Sequence, residues 1–152
     1  MGPTPIDPFR EEHRVLLERV AELKRGAAQI PRLVPAERTV LIEKLVGFLR
    51  HELLPHAQAE EHVFYPEVAK LVGASEVILP MLHDHRAIRE RVVELEASDP
   101  RDPDRLQELL YGLAALISVH FEKEEELLAL LDAQPGERVS RLLEAMSALD
   151  PA

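Results

Sequence analysis

Between Leu106 and Leu131 one helical face can be read straight from the chain: Leu106, Leu110, Leu113, Ile117, His120, Glu124, Leu127 and Leu131. The spacing alternates between four and three residues, as the core-facing stripe of a long amphipathic helix requires. Two members, His120 and Glu124, are polar, with aliphatic residues on both sides. The anomaly recurs on three other segments. One stripe reads Leu49, Leu53, His56, Glu60, Val63, the next Ile78, Met81, His85, Ile88, Val92, Leu95, and the last Phe9, His13, Leu16, Val20, Leu23. Four such stripes call for packed helices whose shared interior accommodates four imidazoles and two carboxylates.

Proline and glycine divide the 152 residues into the blocks that carry these stripes. A first helix is predicted from about Asp7 to Ala28, with Asp7 as N-cap and Pro8 in the first turn. Pro31 and Pro35 bracket a short connection. A second helix runs from about Ala36 to Val72, bent at Pro55 and Pro66 and ended by Gly73. The third starts near Ser75 and stops before Asp99-Pro100. The fourth runs from about Asp104 to Leu131 and is broken by Pro135-Gly136. A last amphipathic piece, Glu137 to Leu149, carries Val139, Leu142, Met146 and Leu149 at helical spacing. Short links between long helices favour antiparallel neighbours. The expected fold is therefore all-α, an up-down-up-down antiparallel four-helix bundle over residues 1–134. Residues 135–152 form a short extra C-terminal helix, packed on the bundle or on a partner. Leu, Ala, Glu and Arg dominate and aromatics make up only 4%, which agrees with helix rather than strand.

The chain also repeats itself. Set on His13 and His85, the segments match at Arg14/Arg86, Glu18/Glu90, Arg19/Arg91, Val20/Val92, Glu22/Glu94 and Leu23/Leu95. Further on, His56, Glu60 and Glu61 correspond to His120, Glu124 and Glu125. Two helical hairpins thus each offer a lone His and then a His-x-x-x-Glu, a doubled pattern that suits a two-metal site.

A buried carboxylate without a partner is costly, and no Lys or Arg occupies these stripe positions, so a bound cation is the economical counter-charge. Imidazole with carboxylate suits iron, zinc or manganese better than calcium or magnesium. The candidate ligands are His13, His56, Glu60, His85, His120 and Glu124. A single stripe histidine is more often a hydrogen-bonded core residue, and a single glutamate can pair with an arginine of a neighbouring helix. Six on four facing stripes, in two matching sets, do not fit that account. His83 is two residues from His85, roughly 200° around the helix, so both cannot face inward. His51 and His62 are off their stripe and read as solvated. His51-Glu52-Leu53-Leu54-Pro55-His56 superficially matches the zinc-protease His-Glu-x-x-His, but the second His comes one residue late across a proline. Tyr65 and Tyr111 could reach a site from a bundle end, but core packing is the better reading for each.

The remaining composition narrows function. With no cysteine, disulfides, iron–sulfur clusters and thiol catalysis are excluded. A formal charge of −10 disfavours a nucleic-acid partner. No apolar run approaches the roughly 20 residues of a membrane span, and the first residues lack the basic and apolar regions of a signal peptide, so a cytoplasmic location is expected.

The pattern His13, His56-x-x-x-Glu60, His85 and His120-x-x-x-Glu124 resembles the hemerythrin-like (HHE, cation-binding) domains, as do the strings Glu-Glu-His-Arg and His-Ala-Gln-Ala-Glu-Glu-His-Val-Phe-Tyr-Pro. The resemblance covers about Asp7 to Leu131. It implies two irons, with His13 and His56 terminal on one, His85 and His120 on the other, and Glu60 and Glu124 as bridges. Two departures stand out. Oxygen-carrying hemerythrins have His-x-x-x-His on the third helix, and the first of that pair is Met81 here. Their last motif has an Asp five residues after the His, whereas Glu124 comes four after His120. Losing a histidine leaves one iron with an extra open or water-filled position, which favours chemistry or sensing over oxygen carriage. The resemblance thus implies a di-iron protein that reacts with or senses oxygen, peroxide or nitric oxide, or handles iron in stress. Reversible oxygen storage is one alternative. The other is a metal-stapled module without catalysis that forms an oligomer or meets a protein partner through its C-terminal helix.

Overall fold

Proline sets both the starts and the irregularities of the helices. The computed structural model describes residues 2–149, and every regular element among them is helical. α1 spans Asp7–Gln29, with Pro8 in the first turn, where its missing N–H has no intrahelical partner to lose. Asp7 is not the N-cap. Ile6 holds that position, and the Asp7 carboxylate reaches back to accept from Thr4 N–H at 2.6 Å and Thr4 Oγ1 at 2.7 Å. A 3₁₀ turn, Ile30–Arg32, leads to α2 (Pro35–Phe48), where Glu37 accepts from the Val34 N–H.

The second long helix continues through residues 49–72, and the irregularities expected at Pro55 and Pro66 take the form of widened turns. π turns at Leu49–Leu53 and Glu60–Phe64 alternate with α3 (Leu54–Ala59) and α4 (Tyr65–Val72). A proline cannot donate to the carbonyl four residues back, and its ring crowds that carbonyl. Opening the preceding turn relieves the crowding. The N–H of Leu54 bonds Leu49 O, and that of Tyr65 bonds Glu60 O, each five residues back. Gly73, at φ +75°, closes α4 in the left-handed conformation that favours glycine.

α5 (Leu79–Glu96) starts later than Ser75, because Ser75–Ile78 forms a 3₁₀ turn. α6 (Pro103–Asp132) is capped by Asp102, whose carboxylate accepts from the Arg105 N–H at 3.1 Å. α7 spans Gly136–Leu149. α1 packs along α6, α6 along α5, and α5 against α2, which makes a helical bundle. α7 lies against α3 and the Glu60–Phe64 turn. It buries Val139, Leu142 and Met146, while Leu149 is 50% exposed and falls off the stripe. Met1 and residues 150–152, the ends of the two predicted segments, lie outside the described residues. No helix among the described residues is long and apolar enough to cross a membrane.

Two apolar clusters fill the interior, and a polar layer lies between them. Along α1, His13 stands between Phe9 of one cluster and Leu16 of the other; along α6, His120 and Glu124 stand between Ile117 and Leu127. His56 lies between Leu53 and Ala59, and His85 between Ile88 and Met81, in the same fashion. Four helices thus deliver their polar stripe positions to one level.

Candidate metal centre

All six predicted site residues meet at that level, and none is more than 4% exposed. The imidazoles form two pairs. His13 Nε2 lies 3.0 Å from His56 Nε2, and His85 Nε2 lies 3.0 Å from His120 Nε2. The carboxylates span both pairs. Glu60 turns Oε2 to His13 and His56, at 3.4 and 3.5 Å, and Oε1 to His85, at 3.5 Å. Glu124 turns Oε2 to His13 at 3.3 Å and Oε1 to His120 at 2.7 Å. Neither oxygen of Glu60, nor Oε2 of Glu124, has a hydrogen-bond partner among the described residues. Donor atoms of Glu60, His85, His120 and Glu124 fall within 4.8 Å of one another, as do those of His13, His56 and Glu60.

The outer ring fixes the tautomers. His56 Nδ1 bonds Glu12 Oε1 at 2.8 Å, His85 Nδ1 bonds Glu61 Oε1 at 2.9 Å, and His120 Nδ1 bonds Asp84 Oδ2 at 2.9 Å. An Nδ1 facing a carboxylate oxygen carries the proton, so the Nε2 of each neutral ring presents a bare lone pair. His85 and His120 therefore aim lone pairs at each other across 3.0 Å, with Glu124 beside them. That arrangement repels itself unless a positive charge sits at its focus. A cation with affinity for imidazole and carboxylate fits the donor set.

Each outer carboxylate adjoins in sequence a residue of the layer, yet orients an imidazole on another helix. Glu12 precedes His13 and holds His56; Asp84 precedes His85 and holds His120. The two arrangements are equivalent under the internal repeat. Arg89 and Lys123 pair with Glu61 and Asp84 in turn. Phe121 stacks on the His13 ring, centroids 4.6 Å apart and planes 3° from parallel.

Protons take up part of the charge when no cation does. Burial lowers the His120 pKa, but hydrogen bonding and charge from Glu124, with Asp84, outweigh it and push it up to about 8. Burial likewise opposes a charged His56, yet Glu60 and Glu12 raise it well above its ordinary value. Burial pushes Glu60 up, and His56, His13 and His85 overcome that to hold it well below the usual range. Glu124 goes the other way, raised by burial and by the charge of Glu60.

Sequence comparison decides the family: the hemerythrin HHE cation binding domain model matches residues 4–131. The chain belongs to the hemerythrin family. No curated protein and no solved structure matches it.

This hemerythrin-family chain departs from the sequence reading at both tyrosines. Tyr111 is 44% exposed on the outer face of α6 and is no core residue. Tyr65 is fully buried but does more than pack: its hydroxyl donates to Glu124 Oε1 and lies 3.1 Å from His85 Nε2 and 3.2 Å from His120 Nε2. Burial and the charges of Glu60 and Glu124 raise its phenol far above the ordinary range. Glu12, Glu61 and Asp84 also went unassigned in the sequence, although an acid before the lone His of each repeat was a legible signal. His51, His62 and His83 are exposed as expected. Replacing His85 by Ala should therefore cost bound metal, while His83→Ala leaves the metal content unchanged. Metal analysis of the two purified variants checks this, and the reverse outcome would overturn the α5 register.

Proposed function

We propose that this hemerythrin-family protein holds two irons, His13 and His56 on one, His85 and His120 on the other, with Glu60 and Glu124 shared. In this reading the described residues up to 134 form an up-down-up-down antiparallel bundle around the centre, and α7 packs on it. The observation that carries it is the pair of imidazole couples spanned by two buried carboxylates, with most of the carboxylate oxygens unpartnered. Bound iron would supply one-electron redox change and attachment for a small ligand. The space beside the layer is small, and a wider groove of about 300 Å³ reaches only His56 of the six residues. A cavity of about 10 Å³ borders the layer, walled by Leu53, Leu54, Ala57, Ile88, Ile117 and Phe121 beside His56, Glu60, His85 and His120. That space is about what one water needs, which suits oxygen, nitric oxide or peroxide. A roomier groove of about 560 Å³ lies elsewhere, around Ile42, Val46 and Leu95, and shares no residue with the centre.

We therefore read the function as reaction with, or sensing of, oxygen, peroxide or nitric oxide, or iron handling. Iron-replete protein, purified without added metal, should contain about two irons per chain by elemental analysis. One ion per chain, or zinc alone, would sink the di-iron assignment. Reduced protein mixed with oxygen should oxidise; uptake that reverses on deoxygenation would move the reading to oxygen storage.

A further inference from the structure

The resemblance leaves one question open on the third helix: Met81 stands where oxygen carriers place an imidazole. Met81 is 5% exposed and belongs to an apolar cluster, and its thioether is a soft donor poorly matched to iron. The neighbouring side chain that points polar chemistry at the same pair of histidines is Tyr65.

We propose that Tyr65 is a further ligand of the centre, its phenolate oxygen binding the iron held by His85 and His120. The proposal rests on the two-iron reading above. Three observations carry it. The Tyr65 oxygen lies 3.1 Å from His85 Nε2 and 3.2 Å from His120 Nε2 and hydrogen-bonds Glu124 Oε1, so it faces the three donor atoms assigned to that iron. A phenol placed only for packing, or only to satisfy its hydroxyl, needs one acceptor rather than convergence with two bare imidazole nitrogens. The ring is 0% exposed, so the contact is built into the interior.

The backbone supplies the third observation. In a regular helix the residue four after Glu60, Phe64, would share its inner face. The π turn at Glu60–Phe64 makes Tyr65, five after Glu60, the residue that aligns, and the Tyr65 N–H bonds Glu60 O. The widened turn thus has a specific product, a phenol at the centre, and π turns of this kind recur at functional sites. The repeat-equivalent stretch of α6 is regular helix and has Ala129 at the matching place, so the tyrosine is an addition to one half only. On ligation the O–H bond is exchanged for an oxygen–iron bond, and the proton leaves to solvent. Phenolate is a hard anionic donor and favours iron(III).

The chain has two tyrosines, which makes the test clean. Wild type, Tyr65→Phe and Tyr111→Phe are loaded with iron, oxidised in air, and compared by elemental analysis, visible absorption and resonance Raman. Wild type and Tyr111→Phe should show a phenolate-to-iron(III) charge-transfer band whose excitation enhances tyrosine ring modes. Tyr65→Phe should lose the band and the modes completely while still binding iron. Should Tyr65→Phe fail to fold, Tyr111→Phe decides alone, since Tyr65 is then the only phenol. Two irons without a phenolate signal would overturn the ligand and leave the di-iron reading standing. A wild type that binds no iron would overturn both.

Discussion

Freed of metal, the protein should melt roughly 8–16 °C below its loaded form at pH 8. Metal at a thousandfold excess over its Kd stabilises the native state by about 4 kcal/mol, and a domain of this size shifts by about 2–4 °C per kcal/mol. The gap should widen with pH. In the metal-free chain the His120 pKa, raised to about 8 from 6.5, gives stability that is fully present below pH 6.5 and lost as pH rises through about 8. Glu124, also raised, has the same sign: its contribution is present below 4.5 and lost as pH rises past its folded value. His56, raised well above its ordinary value by Glu60 and Glu12 against its burial, has the same sign. Glu60, lowered, contributes above 4.5 and loses that as pH falls through its folded value. The loaded form runs the opposite way, because ligand imidazoles must be neutral and acid releases the metal. Thermal melts of both forms from pH 5.5 to 9 check this. Equal melting temperatures at pH 8, or a gap that narrows as pH rises, would contradict the argument.

Glu60→Gln should reduce metal content from about two ions per chain to below one. The amide keeps the shape but not the anionic charge, and Glu60 has one oxygen toward each imidazole pair. Loss of affinity should exceed the 10–100-fold typical of an outer hydrogen-bond partner. Asp84→Asn, which weakens only the orientation of His120, should stay within that smaller range. Titration of iron(II) into each metal-free variant separates the two. A Glu60→Gln protein that binds two ions as tightly as wild type would remove this residue from the shared position.

The polar layer was legible in the sequence because α1, α5 and α6 are regular there. Stripe counting at three and four residues puts His13, His85, His120 and Glu124 inside, and all are buried. In the second helix the same counting works as far as Glu60 and then fails. It places Val63 on the inner face, whereas Phe64 and Tyr65 are the residues fully buried and Val63 is half-buried. The π turn is the reason, since it adds one residue to the period just where the stripe crosses the centre. Pro66 hinted at an irregularity but not at its form. Asp7 was misplaced as an N-cap for a smaller reason: its carboxylate accepts from the Thr4 N–H and Oγ1 instead. The acids beside the layer residues are visible in the sequence, but which imidazole each orients needed the third dimension, because each serves a helix other than its own.

The outer ring also breaks the symmetry of the repeat. Glu125, the counterpart of Glu61, faces outward to Arg10 at 2.6 Å, whereas Glu61 bonds His85 and pairs with Arg89. Asp84, behind His120, pairs with Lys123. Arg89 and Lys123 are each 40% exposed, so both imidazoles of that couple end on ion pairs that dissolved ions can reach. Ionic strength weakens exposed pairs over a Debye length of about 10 Å at 0.1 M salt. The interior couple His85–His120 thereby feels the saltiness of the medium through its carboxylates, although each ring is itself only 1% exposed.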